Sequence, residues 1–263
     1  MGEQNEKQKV SILKIEKEKL TLTKPEDDIV NKVWNAWDKG IIDEEIKMSI
    51  PQWEDSDYIM KDVDIRNING INFTNFRIGD EIIDSEIDKF KENESESNLV
   101  HAVVLLDAIY HTRLDDPIQT AITIYESNIL KGGLKNVTEK NTNKIINSIA
   151  CINVSKANGE KKNGSYIYSF ATKLCNRFRP DLFPIFDRFV AGLLSVYMNV
   201  PRSSMGNYKK FCKTYKQLID NYELRSDDGK IFKKIDTFMW TYGRVLANKE
   251  SGVVFDSISY IPQ

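Results

Sequence analysis

The chain has 263 residues, 41% of them hydrophobic, enough for one large or two small domains whose core needs no disulfide or metal staple. Three widely spaced cysteines without a CxxC pair read as reduced thiols, and two histidines without cysteine partners argue against a zinc site. The net charge of −2 hides an asymmetry: residues 1–150 carry 19 Lys and Arg against 29 Asp and Glu, residues 151–263 carry 18 against 10.

In chain order, residues 1–22 alternate apolar and charged side chains and fit either a short strand or a loose tail. In "KPEDDIVNKVWNAWDKG" an acidic first turn leads into an apolar face of Ile29, Val30, Val33, Trp34 and Trp37, and Gly40 stops the predicted helix. Residues 50–78 read as irregular, with a short hairpin expected at Asn69-Gly70. "GDEIIDSEIDKFKE" predicts a helix from Gly79. "NLVHAVVLLDAIYHTRL" predicts a long one, opened by His101 and ended by His111, both in structural roles. Asp116 and Pro117 mark the start of another helix, expected to run to Gly132. A helix over about 139–153 and a Gly-, Asn- and Lys-rich loop, "KANGEKKNGSY", come next. Four further helices follow: in "YIYSFATKLCNRF", from Asp187 to about Asn199, in "SMGNYKKFCKTYKQLIDNYEL" and in "GKIFKKIDTFMWTYGRVLANK". The expected fold is mainly α, with a small β element near the N-terminus.

The opening MGEQNEKQKV lacks the apolar core of a signal peptide, and no apolar run approaches the roughly 20 residues of a membrane helix. The expectation is a cytoplasmic protein without membrane contact. No P-loop, GxGxxG, GxSxG or HExxH motif is present, so neither a cofactor nor a metal is expected. The basic C-terminal half suggests an anionic partner. The acidic N-terminal half suggests a protein partner, or a mimic of nucleic-acid charge. A pocket for a nucleotide or another small anion between the halves stays open as a third class.

The block Lys161–Val190, "KKNGSYIYSFATKLCNRFRPDLFPIFDRFV", is the most informative. It contains a basic loop with a glycine, a helix with small residues, a proline-bounded connection and an aspartate at a helix start. This order resembles the helix-hairpin-helix DNA glycosylases, in particular the 8-oxoguanine DNA glycosylase branch, with "FATKL" on the helix that carries the family's lysine and "PIFDRFV" on its aspartate segment. The resemblance implies a multi-helix glycosylase-like domain over 97–263 beside an acidic region over 1–96, and DNA as partner. It places Asp187 at the catalytic aspartate, followed by Arg188, and puts Ser169 where the family has its lysine. Lys173 stands one helical turn later, on the same face.

A fixed carboxylate is suited to an oxocarbenium-like transition state, once the target base has been flipped out of the duplex. In members without the lysine, the aspartate activates water. Lys161, Lys162, Asn163 and Gly164 suit phosphate contacts through backbone N–H groups and charge. Arg177 and Arg188 suit either phosphates or nearby carboxylates. Asp187 also fits a helix N-cap, a role compatible with chemistry. Lys173 fits a nucleophile or a snorkelling surface lysine. Trp240 fits a base-stacking platform or an aromatic core.

Overall fold

The computed structural model describes residues 10–11, 22–54, 57–68, 71–152, 167–226, 228–247 and 253–255. Helix α1 (Asp27–Lys39) follows its local signals, with Asp27 and Asp28 in the first turn, Lys39 in the last, and Gly40 left-handed at φ 74°. The Gly40 N–H donates to the Trp37 carbonyl at 3.0 Å, which closes the helix. Its apolar stripe, Val30, Val33, Ala36 and Trp37, is buried.

The expected irregular segment is instead an antiparallel ribbon, β2 (Lys47–Glu54) and β3 (Asp57–Asp64), with Lys47 opposite Asp64 and Glu54 opposite Asp57. Pro51 lies inside β2 opposite Met60. A two-stranded ribbon has only edge strands, so a residue without an N–H is tolerated there. Met48 and Ile50, two residues apart, are fully buried. The hairpin therefore turns before the position expected, and Asn69-Gly70 lies outside the described residues. Helix α2 (Phe73–Glu92) also starts earlier than Gly79, because the Asn72 side chain caps it by accepting the Asn75 N–H.

Helix α3 (Glu96–Tyr110) ends on left-handed His111, while His101 is an exposed residue near its start. In helix α4 (Pro117–Glu126) Asp116 accepts the Gln119 N–H at 2.9 Å, the cap its sequence predicts. The helix stops before Gly132, which sits at φ 70° in the 3-10 turn Lys131–Leu134. Then come α5 (Glu139–Ala150), α6 (Tyr168–Phe178), α7 (Arg188–Tyr197), α8 (Tyr208–Asn221) and α9 (Ile231–Leu246). A short strand β1 (Val10–Ser11) pairs in parallel with β4 (Val253–Val254). The described chain is mainly helical, and none of its helices is long and apolar enough to cross a membrane.

One cluster of buried apolar side chains runs from Leu22 to Phe255. α6 lies at its centre against α2, α3 and α5, and α9 packs on α1 and α7. Every α6 residue except Ser169 is buried. The α7–α9 approach depends on Gly243, where a Cβ would stand 2.3 Å from the Phe189 Cβ. Only a glycine lets the start of α7 come that close to α9.

Candidate functional site at the start of helix α7

In the nine-residue connection from α6 to α7 the Leu182 and Phe183 N–H groups donate to the Arg179 carbonyl at 3.1 and 3.2 Å, and α6 supplies further partners from one face. Thr172 accepts the Phe186 N–H at 3.0 Å, Asn176 donates to the Phe183 carbonyl at 2.7 Å, and Ser169 donates to the Phe186 carbonyl at 3.1 Å. Buried backbone groups need such partners. Residues 169, 172 and 176 fall at i, i+3 and i+7, one stripe of the helix. The Phe186 ring packs on Tyr168, centroids 4.3 Å apart, and on Phe211 at 5.6 Å. The segment that delivers Asp187 is thus pinned on both its polar and its apolar side.

Asp187 is the N-cap of α7. Its Oδ1 accepts the Phe189 N–H at 2.9 Å, and its Oδ2 stands 3.8 Å from the Lys173 Nζ. That second separation exceeds a charge-assisted hydrogen bond, so Oδ2 keeps acceptor capacity while feeling the cation. Lys173 donates to the Ser169 Oγ at 3.0 Å. Helical side chains lean toward the N-terminus, so the lysine at i+4 brings its amine over position i. The amine is therefore beside Ser169. The Lys173 and Asp187 side chains are 11% and 19% exposed, and Lys173 lies 5.6 Å from the centroid of the Tyr110 ring.

Behind this pair lies a charge cluster assembled from distant helices. Asp80 on α2 accepts from Arg177, from the Tyr110 hydroxyl and, at 2.9 Å, from Lys233. Arg177 also donates to Asp84 at 3.0 Å. Burial pushes the Asp80 carboxyl up, but Lys233 and Arg177 outweigh it and hold it below the usual carboxylate range. Asp236 on α9 differs. Its Oδ1 is buried without a hydrogen-bond partner among the described residues. Burial drives its carboxyl up to about 7; Lys233 and Lys173 oppose the rise, and Asp187 and Asp80 add to it.

The structure brings Asp187, Lys173 and Ser169 together. The other candidates fall elsewhere. Arg177, grouped with the DNA contacts, is buried and committed to Asp80 and Asp84, with its side chain 5% exposed. Arg188 is exposed, its guanidinium 4.7 Å from the Phe189 ring centroid. Trp240 joins a ring cluster with Phe76 at 4.7 Å and Trp37 at 6.0 Å, under Arg244. Lys161, Lys162, Asn163 and Gly164 lie outside the described residues. Asp80, Tyr110, Lys233 and Asp236 carry no local sequence signal. Thr172 and Asn176 did: polar residues in register with Ser169 on an otherwise buried helix.

Comparison with known proteins adds a partial frame. A family model described as the HI_0787_N N-terminal domain matches residues 56–182, which include Asp80, Tyr110, Ser169, Lys173 and Arg177 and stop short of Asp187. An uncharacterized protein of Haemophilus influenzae is 25% identical over 164 residues, an alignment taking in 57% of this chain and 76% of that protein. No solved structure matches the chain.

Proposed function

We propose that the protein has a helix-hairpin-helix glycosylase-like architecture, binds DNA and cleaves the N-glycosidic bond of a modified base, as in DNA repair, with Asp187 activating water. The observation that carries this reading is the divided use of the Asp187 carboxylate. One oxygen is fixed by the α7 N-terminus and the other faces the Lys173 ammonium without a direct hydrogen bond. In the step, water attacks C1′, the C1′–N bond breaks with its electron pair going to the departing base, and Oδ2 takes the proton of the attacking water. The neighbouring negative charge also stabilises the oxocarbenium-like state. Lys173 acts through its charge on the free oxygen of Asp187, and Ser169 acts by accepting a hydrogen bond from the Lys173 amine.

A second reading has its own support. Lys173 and Asp187 are mostly covered, and the cavities of about 1130 and 370 Å³ are lined by other residues. A glycosylase-like module that has lost catalysis, serving DNA binding or protein interaction, would tolerate such closure. Incubation with duplexes carrying oxidised, deaminated or alkylated bases, followed by hot alkali, separates the two. Strand breaks at the modified position support the enzyme, and intact strands across the set support the module.

A further inference from the structure

Helices α5 and α8 enclose an open groove of about 1130 Å³, with Leu182 and Pro184 of the α6–α7 connection along it. Six lysines line it: Lys140 and Lys144 from α5, and Lys209, Lys210, Lys213 and Lys216 from α8. Its acids are Glu139, which pairs with Lys216, and Asp220. The other five lysines are exposed, and no carboxylate among the described residues forms an ion pair with them.

This arrangement works against the stability of its own helices. Lys140 and Lys144 are an i, i+4 pair of like charge, as are Lys209 and Lys213, and Lys213 stands three residues from both Lys210 and Lys216. Lys140, Lys209 and Lys210 also sit in the first turns of α5 and α8, the positive ends of the helix dipoles. Both defects are relieved by an external anion at one place, the groove.

We propose that the groove holds the phosphate backbone of double-stranded DNA. The row from Lys209 to Lys216 extends about 10 Å along α8, which suits a polymer of phosphates rather than one small anion. Among the described residues no aromatic side chain lines the groove to offer bases a stacking platform, which favours a duplex over a single strand. Lysines without arginine suit point-charge contact to phosphate rather than bidentate reading of bases. An acidic peptide added as a strand would need a free strand edge, and the walls are two helices whose lining residues, apart from Leu182, Pro184 and Cys212, are polar or charged. Pro184 on the groove precedes Asp187 by three residues, so one short connection links the bound backbone to the carboxylate. The inference rests on the DNA-binding part of the proposed function and is independent of its chemistry.

The test is fluorescence anisotropy of a labelled mixed-sequence DNA duplex with the full chain over a range of salt concentrations. It compares wild type with the combined variant Lys140→Gln, Lys144→Gln, Lys209→Gln and Lys213→Gln. A control variant, Lys32→Gln, Lys39→Gln, Lys131→Gln and Lys135→Gln, removes the same charge elsewhere, and thermal melts verify that both are folded. The groove variant is expected to bind at least about tenfold more weakly, with a salt slope shallower by about 0.9 for each phosphate it no longer neutralises. The control is expected to stay near wild type. Steep, salt-dependent binding that the groove variant retains overturns the groove while leaving DNA binding intact. Binding of polyglutamate but not of duplex, or of neither, overturns DNA as the occupant. Absence of strand cleavage with groove-dependent binding preserved removes only the chemistry.

Discussion

Lys173 reaches back one helical turn to place its amine 3.0 Å from the Ser169 hydroxyl and 3.8 Å from the Asp187 carboxylate. The cation thereby stands beside the aspartate. Lys173→Met keeps the apolar stem and leaves Asp187 without its cation. The pair is partly solvated and not in direct hydrogen-bond contact, so the expected loss, about 1–3 kcal/mol, is below that for a fully buried pair. Urea denaturation reads it; an unchanged midpoint would show that the pair contributes nothing to the fold. If water is the nucleophile, borohydride traps no covalent adduct between wild type and a modified duplex. An adduct that Lys173→Met abolishes would make the lysine the nucleophile instead.

Thr172 is expected to matter for Asp187 without touching it. Thr172→Val preserves shape and strands the buried Phe186 N–H, at a cost of about 1–3 kcal/mol. The check is chemical denaturation beside Ser204→Ala, which loses only a solvent-exposed hydrogen bond to the Pro201 carbonyl. Equal midpoints for the two variants would mean that the Thr172 hydrogen bond adds nothing to the hold on the connection.

Much of the secondary structure was legible because its signals are local. Asp116 caps the helix it precedes, Gly40 closes the helix it follows, and each acts within one turn. The β2–β3 ribbon was missed because Pro51 reads as a breaker when the strand's neighbours are unknown, and Asn69-Gly70 drew the hairpin too late. Asp187, Ser169 and Lys173 were legible because 19 residues of continuous chain hold all three. The cluster behind them was not. Arg177 meets Asp80 across 97 residues of sequence, and Asp236 joins them only through the packing of α9.

The buried Asp236 sets a pH dependence of stability. Its carboxyl titrates near 7 when folded and near 3.8 when unfolded, so across that window the folded state holds a proton that the unfolded state has released. Stability therefore falls as pH rises between those values and levels off above them. Asp236→Asn removes this dependence. It is expected to exceed wild type by a few kcal/mol at about pH 8, with the gap shrinking toward zero near pH 4, because each pH unit within the window is worth about 1.4 kcal/mol. Asp80 has the opposite sign, but its carboxyl is held low, so its contribution is lost only on further acidification. A gap that stays constant with pH in denaturation midpoints would contradict a protonated Asp236.

Gly243→Ala tests the approach of α7 to α9. The added methyl meets the Phe189 Cβ, which is tied to the backbone and has no rotamer escape. Overpacking of this kind costs about 1–3 kcal/mol and displaces the first turn of α7, which Asp187 caps. Gly229→Ala, where no atom lies within 4 Å of the added Cβ, is strained by its φ of 70° but overpacks nothing. Only Gly243→Ala is expected to lower activity on a modified duplex beyond its effect on stability. Equal activity in the two variants would separate the α7–α9 spacing from the site.

The most direct measurement is single-turnover formation of alkali-labile sites in a modified duplex by wild type and Asp187→Asn, with duplex binding measured in parallel. Asparagine keeps a cap oxygen for the Phe189 N–H and removes the charge facing Lys173. The expected result is cleavage by wild type, loss of at least about a hundredfold in rate in the variant, and unchanged binding. Cleavage that survives Asp187→Asn, or its absence in wild type on every modified duplex, would contradict a catalytic Asp187.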